Sequence, residues 1–415
     1  MTDVVFWAWL QDAIGLGSVR ADRIIRELSS PEALYGKSAR ELEALGMFAP
    51  KEIERLRATT LDRAREQIKT AERLGCMAIG PDHPDYPEAL TNIDAMPCIL
   101  YVKGSLSGLS DELVITMVGT RSATEYGLAS AYRLSHDLAA AGCTVVSGLA
   151  TGIDTASHAG ALQASGRTIG LLACGLDIDY PSASGELKRR ILDAGGALVT
   201  EFPFGTGVNR GSFSIRNRLL SGIAAGVVVV QAPERSGALI TARYALQQNR
   251  DVFAVPGEIF DPSMAGCNKL ARDGAKVVVN VYSILEEYIG RFPKRIDART
   301  VAARIKSADR NAAKPPQNAP RRIKGVKACA KPATAPKQAD VPRMDDGELA
   351  KRGVTPQARA VYAQLGARAL ERDELAALAG LGAAETLSAL TELELTGFAR
   401  VVAGGRYIPS APGGV

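Results

Sequence analysis

The stretch "SFSIRNRLLSGIAAGVVVVQA", residues 212–232, places Arg216, Asn217 and Arg218 directly before one of the most apolar runs of the chain. A guanidinium is a flat, permanently charged fork that chelates phosphate oxygens, so these residues suit anion recognition and not proton transfer. Helical spacing makes Phe213, Arg216 and Asn217 neighbours on one face, and the Phe213 ring offers a base a surface to stack on. Arg210 stands three residues before that ring, in the glycine-rich approach "FPFGTGVNRGSF".

Groups of the same kind recur along the chain. "VGTRSATEYG" gives a glycine turn at Gly119, then Thr120, Arg121, Ser122 and Thr124 at the start of a helix, where backbone N–H groups and the helix dipole favour an anion. A plainer role for Ser122 or Thr124 is to cap that helix. The stretch is not G-x-G-x-x-G and no acidic ribose partner follows it, so no dinucleotide is expected. "SGLATGIDTASHAGAL" crowds Ser147, Gly148, Gly152 and Asp154 into a strand-to-helix turn, where glycines let a ligand approach the amides without a Cβ in the way. His158 falls inside the following helix among alanines and reads as a packed, hydrogen-bonded core histidine. "ACGLDIDYP" adds Gly175, "ERSGALITA" adds Ser236, Gly237 and Thr241, and "VPGEIFDPSMAGCNKLARDGA" adds Gly257, Gly266 and Asn268.

Each of these clusters follows a strand-length apolar run. From Glu112 onward the runs are "LVITMVG", "CTVVSG", "TIGLLACG", "ALVTEF", "GVVVVQA", "DVFAVPG" and "AKVVVN", most of them separated by helix-length segments of mixed polarity. Continuous apolar strands are buried on both faces, and strand–helix alternation means right-handed parallel crossovers. The fold class is therefore α/β, a doubly wound parallel sheet, whose ligands bind beyond the carboxyl ends of the strands. The clusters then share one rim.

Around this domain, expected over 76–293, three further segments stand out. Residues 1–75 read as short helices broken at Gly15, Gly17, Pro31, Gly46 and Pro50, and "IGLGSVRADRIIREL" resembles half of a helix-hairpin-helix element whose glycine amides meet a phosphate, or else is a plain helical turn. Prolines 81, 84, 87 and 97 then enforce extended connections. Residues 294–345 lack apolar periodicity and read as a disordered basic linker. Residues 346–415 show three helical patterns and two short strand-like pieces around Gly404–Gly405, the order of a winged helix.

Length and charge agree with this division. A chain of 415 residues is too long for one ordinary core. Its net charge of +5 conceals an excess of +11 within 294–343, with −4 before and −2 after, so any anion site in the folded parts must be a local pocket. Six scattered cysteines without a C-x-x-C pair, and three histidines, argue against a zinc site and suit a reducing compartment. Asp3 stands where a signal peptide carries basic residues, and no run is long enough to span a bilayer, so a cytoplasmic protein without a membrane partner is expected.

Taken in order, "VGTR", "SGLATGIDTASHAGAL", "FSIRNRLLSG", "SGALITA", "VFAVPG" and "GCNKLARDGA" resemble the DNA-processing protein A family, also called Smf, and "PDYPEAL" and "CILYVKG" upstream belong to the same pattern. The resemblance implies an extended Rossmann domain that binds and protects single-stranded DNA and loads the RecA recombinase in natural transformation. It also implies a homodimer, with an N-terminal helical domain of the SAM or helix-hairpin-helix kind and a C-terminal winged helix as common additions. No enzymatic activity, cofactor or metal comes with it. Carried onto this sequence, the DNA pocket falls on Arg121, Arg210, Phe213, Arg216 and Asn217; Gly119, Thr120, Ser122, Ser147, Gly148, Gly152, Gly175, Ser236, Gly237, Thr241 and Asn268 complete the expected DNA-binding set. The chain departs from many relatives in having Arg210 for a lysine and Ser214 for a proline, and arginine keeps the charge. The rival is a nucleotide-processing Rossmann enzyme that cleaves nucleoside monophosphates. Of its P-G-G-x-G-T loop only Pro256 and Gly257 are present, and Glu201 and Glu258 are the acid–base candidates.

Overall fold

The computed structural model describes residues 2–28, 30–292, 344–366, 370–402 and 406–410; all but two residues of the expected basic linker, 294–345, lie outside the described residues. The chain divides into two compact units, within 1–321 and 322–415.

The first unit begins with helices α1 (Val4–Ile14), α2 (Arg20–Leu28), α3 (Ala39–Ala44), α4 (Pro50–Ala58) and α5 (Leu61–Arg73). Their starts are written in the sequence: the Asp3 carboxylate accepts from Val5 N at 3.0 Å, and Ser38 and Glu41 form a reciprocal capping box. Trp7, Trp9, Leu10, Ile24 and Leu56 share one core with Cys98, Ile99, Tyr101 and Phe204 of the sheet domain. The helices are thus docked on the sheet and not a detached module.

Nine strands follow: β1 (Met77–Ile79), β2 (Leu100–Gly104), β3 (Val114–Gly119), β4 (Thr144–Ser147), β5 (Thr168–Leu171), β6 (Ala197–Thr200), β7 (Gly226–Gln231), β8 (Asp251–Ala254) and β9 (Lys276–Val277). They lie in the order β1-β2-β6-β5-β4-β3-β7-β8-β9. From β6 to β9 all neighbours are parallel; β2 runs antiparallel to β6 and β1 antiparallel to β2. The seven apolar runs are the seven parallel strands, and the antiparallel pair is an extension at one edge.

Helices cover both faces: α6 (Glu125–Ala140), α7 (Ile153–Gln163), α8 (Gly185–Asp193), α9 (Arg210–Gly222), α10 (Gly237–Gln247), α11 (Ala265–Arg272) and α12 (Tyr282–Leu285). Strand β7 shows why its run is unbroken. Val227 and Val229 pack with Leu219 and Leu220 of α9 and Ala242 of α10, while Val228 and Val230 pack with Ala131 and Leu134 of α6 and Ile284 of α12. Each such side chain contributes about 1.5–3 kcal/mol by leaving water.

The order reverses between β3 and β7, which marks the switch-point crevice of such a sheet. Here Gln231 closes it. Its Oε1 accepts from Thr124 N at 2.9 Å and its Nε2 donates to Ser263 Oγ at 2.6 Å, stitching the loops after β3 and β8 together. Open space is displaced toward the ends of β3, β4 and β5.

The second unit contains α13 (Asp346–Lys351), α14 (Pro356–Gln364), β10 (Leu370–Glu371), α15 (Arg372–Ala379), α16 (Ala383–Leu395), β11 (Ala399–Val402) and β12 (Arg406–Pro409). Its antiparallel sheet has the order β10-β12-β11, over a core including Val361, Tyr362, Leu375, Leu390 and Phe398. Relative to the expected three helices and a hairpin, one more helix and the short β10 are present. Among the described residues no helix is long and apolar enough to cross a membrane, and no group of three His, Cys, Asp or Glu side chains is gathered to hold a metal.

Candidate functional site

A recess opens over the carboxyl ends of β3, β4 and β5. Arg121 reaches it from the loop after β3, Gly148, Leu149 and Ala150 from the loop after β4, and Leu172, Ala173, Tyr180 and Pro181 from the loop after β5; α9 contributes Phe213 and Arg216. Helix α9 starts where it does because Asn209 Oδ1 accepts from Ser212 N at 3.0 Å while Ser212 Oγ accepts from Asn209 N at 3.2 Å. That reciprocal cap fixes the first turn. Phe213 and Arg216 then project together, three residues apart.

Arg121 is exposed, and its guanidinium carbon lies 4.6 Å from the centroid of the Phe213 ring. Phe213 in turn lies 6.1 Å from Tyr180, with the rings inclined at 57°. A cation on an aromatic face is worth about 0.5–1 kcal/mol when exposed, so Arg121 is held loosely and a stacking base can compete for the ring.

Arg216 is only 5% exposed. Its Nη1 donates to the Leu171 carbonyl at 3.0 Å, and among the described residues it has no carboxylate partner in an ion pair, while its Nε is buried without a hydrogen-bond partner. Burial pushes its pKa down and the charge of nearby Asp154 opposes that shift; guanidinium nonetheless stays protonated. Its Nη1 lies against Gly148, where a Cβ would overlap Nη1 and be 2.6 Å from Cζ and 2.8 Å from Nη2. Only glycine allows that approach. Asp154, 6% exposed, accepts from Gly148 N and Ala150 N, each at 3.2 Å. Burial raises its carboxyl pKa, and Arg216 opposes this first among the nearby groups.

The remaining expected residues surround the recess or lie apart from it. Gly119 and Gly152 are packing glycines: a Cβ at Gly119 would strike Ile153, and one at Gly152 (φ +80°) would strike the carbonyls of Thr120 and Arg121. Thr120 Oγ1 accepts from Ser122 N at 3.2 Å, and Thr124 is the residue that caps α6, accepting from Gly127 N at 3.2 Å. Ser147 is buried and donates to the Met117 carbonyl, tying β4 to β3. Gly175 is buried, and a Cβ there would strike the Asp177 carboxylate and the Pro203 carbonyl. Ser236 caps α10 through Ala238 N, Asn217 Nδ2 donates to Gly237 O at 3.4 Å, and Thr241 is buried. Asn268 holds the backbone of Gly257 from both sides, away from the recess. Arg210 is exposed in the first turn of α9 and does not line the recess. Of the sixteen expected positions, Arg121, Gly148, Phe213 and Arg216 meet at one wall.

Four other singled-out residues behave differently. Arg218 turns away from the rim into a buried ion pair with Glu201, beside the Gly17 turn of the N-terminal helices. Glu201 is 1% exposed, so it is closed to solvent, whereas Glu258 is exposed. His158 is fully buried, its Nδ1 2.7 Å from Thr168 Oγ1, and burial, then Arg216, push its pKa down to about 3, so it is neutral. Sequence reasoning missed the wall formed by Leu149, Ala150, Leu172, Ala173, Tyr180 and Pro181. Its signal was an aromatic–proline pair five residues beyond the Gly175 turn.

The described geometry has counterparts among known proteins. The family model for DNA recombination-mediator protein A matches residues 77–289, and that for the DprA winged helix domain matches 332–405, which fixes the class of the second unit. The chain is 34% identical over 297 residues to Protein Smf of Synechocystis sp., covering 70% of this chain and 74% of that protein. It is 43% identical over 202 residues to DNA processing protein DprA of Bacillus subtilis, covering 49% and 68%. The crystal structure of DNA processing protein A from Streptococcus pneumoniae superposes with a TM-score of 0.59 at 27% identity, covering 69% of this chain and 99% of that one. Sequence, domain order and sheet agree: the chain belongs to the DNA recombination-mediator protein A family.

Proposed function

We propose that the recess grips single-stranded DNA, with Arg121 and Arg216 supplying positive charge and Phe213 a stacking face. One observation carries this reading: a permanently charged guanidinium, buried but unpaired with any carboxylate among the described residues, stands beside an aromatic ring reachable from solvent. Base–aromatic stacking is worth about 1–3 kcal/mol per base, and a hydrogen bond to a charged group about 1.5–3 kcal/mol. Bases in a duplex are stacked on one another and cannot meet Phe213, so the single strand is the ligand. Arg210, exposed at the mouth-side end of α9, adds charge along the strand's path. The family likeness supports the further parts of the proposal: homodimerisation, RecA loading and a cytoplasmic role in DNA uptake. The geometry does not support ribose–base cleavage: Glu201 is paired with Arg218 out of reach of solvent, and Glu258, though exposed, does not line the recess.

The test is a titration of labelled single- and double-stranded oligonucleotides at two salt concentrations. Single strands should bind more tightly, with log affinity falling by roughly 0.7 per neutralised phosphate for each unit of log salt. Arg121→Ala and Arg216→Ala should each weaken binding at least about tenfold. Wild-type affinity in both variants refutes the site.

A further inference from the structure

Asp154 has no part in the contacts just described, yet its buried carboxylate is bonded to a turn that lines the recess. We propose that Asp154 is a positioning residue: its carboxylate fixes the Gly148–Ala150 turn, and through that turn the Arg216 guanidinium, so that the cation meets DNA unpaired. This rests on the reading of the recess as a DNA site.

The turn needs holding. Leu149 has φ +59°, a left-handed conformation that costs a non-glycine residue on the order of 1 kcal/mol or more. The Asp154 carboxylate spans that residue, since one oxygen, Oδ2, accepts from the amides on both sides of it, Gly148 N and Ala150 N. Both flanking residues line the recess, and Gly148 is the surface on which the Arg216 guanidinium rests. The same Nη1 that meets Gly148 is pinned by the Leu171 carbonyl at 3.0 Å. A carboxylate in direct contact with Arg216 would neutralise the charge offered to a phosphate. Bonded to the amides of the turn, and forming no ion pair with Arg216 among the described residues, Asp154 steadies the cation without neutralising it. His158, one helical turn further along α7, is buried against Thr168 and supplies no competing charge.

Because both hydrogen bonds end on a single oxygen, a carboxamide can replace them without the charge, while glutamate keeps the charge and displaces the oxygen. Full-length protein is titrated with labelled oligo(dT) as Asp154→Asn, Asp154→Glu and Asp154→Ala, with Arg216→Ala in parallel. Asp154→Asn should stay within about threefold of wild type; Asp154→Glu and Asp154→Ala should bind at least about tenfold more weakly. The proposal is overturned if glutamate or alanine binds like wild type, or if asparagine is as weak as glutamate. Should the alanine variant fail to fold, the asparagine–glutamate pair decides alone. If Arg216→Ala binds like wild type, the DNA reading itself fails; if it is weak while the Asp154 variants all match wild type, only the positioning role falls.

Discussion

Gly148→Ala is the smallest change that addresses the recess directly. Gly148 is not in the left-handed region, so alanine brings no backbone strain; its whole effect comes from one methyl group. That methyl would lie 2.6 Å from Arg216 Cζ and 2.8 Å from Nη2, against an ordinary carbon contact of roughly 3.5–4.0 Å. Nη1, the nearest atom, would overlap the methyl outright, so the guanidinium must retreat by about 2 Å, and the bond that Nη1 makes to the Leu171 carbonyl, now 3.0 Å, is lost with it. If the displaced cation no longer reaches the strand, one hydrogen bond to a charged group disappears, about 1.5–3 kcal/mol, or a roughly 10- to 150-fold rise in Kd. Fluorescence anisotropy with a labelled single strand reads this, and a thermal melt checks the fold, for which overpacking costs about 1–3 kcal/mol. The decisive comparison is the double variant with Arg216→Ala. Once the guanidinium is gone the methyl has nothing to strike, so the double variant should bind within about twofold of Arg216→Ala alone, a strongly non-additive cycle. Wild-type affinity in Gly148→Ala, or a double variant weaker by the sum of both effects, refutes the contact.

Phe213→Ala should weaken single-strand binding by about 1–3 kcal/mol while leaving the slope of log Kd against log salt unchanged, because it removes a ring and no charge. Arg218→Met leaves Glu201 as an uncompensated buried charge and should lower stability by about 3–5 kcal/mol in denaturant titrations, and adding Glu201→Gln should restore most of it. His158, neutral in the fold with a pKa of about 3, takes up a proton in the unfolded chain below about pH 6.5, so its contribution to stability is intact above that pH and is lost as pH falls toward 3. Between pH 7.5 and 5 the wild type should lose about 2 kcal/mol more than His158→Gln, and equal losses would contradict a buried neutral imidazole.

How much was legible follows from where each signal is stored. The parallel strands were readable because burial on both faces removes polar residues from the run, as in "VVVV" of β7. The edge pair was not: β1 has three residues with Met77 exposed, and β2 lies in a proline-spaced stretch whose extended character has several explanations. Its place in the sheet exists only through the pairing of β2 with β6, a contact nearly a hundred residues away in the chain, with β1 then added on the other side of β2. The loops after β3 and β4 were readable because glycine is needed wherever backbone meets backbone or guanidinium. Tyr180 was not readable as a recess wall, because its place depends on the path of the whole loop from Gly175, including the Lys188 Nζ that donates to the Tyr180 carbonyl at 3.0 Å. Glycines, moreover, do not declare which partner they accommodate. Gly148 serves the cation, whereas Gly119, Gly152 and Gly175 serve packing, and the sequence writes all four alike.

The two arginines of "SIRNR" then have separate explanations. Successive helical residues are about 100° apart, so positions 216 and 218 point to opposite sides of α9. On one side Arg216 rests on Gly148 and faces the recess; on the other Arg218 is buried against Glu201, whose backbone carbonyl also accepts from Gln11 at 2.8 Å. The helix that presents the site is thereby tied to the end of β6 and, through Gln11 and the Gly17 turn, to the N-terminal helices. A buried ion pair adds little net stability compared with apolar packing, but breaking it is costly, so it disfavours helix positions that would separate Arg218 from Glu201. For a helix that must hold Phe213 and Arg216 at a fixed angle to the sheet, orientation is the property that matters. The apolar run that follows carries the burial energy for that arrangement, so charge and hydrophobicity adjoin in the sequence because one helix connects the rim to the core.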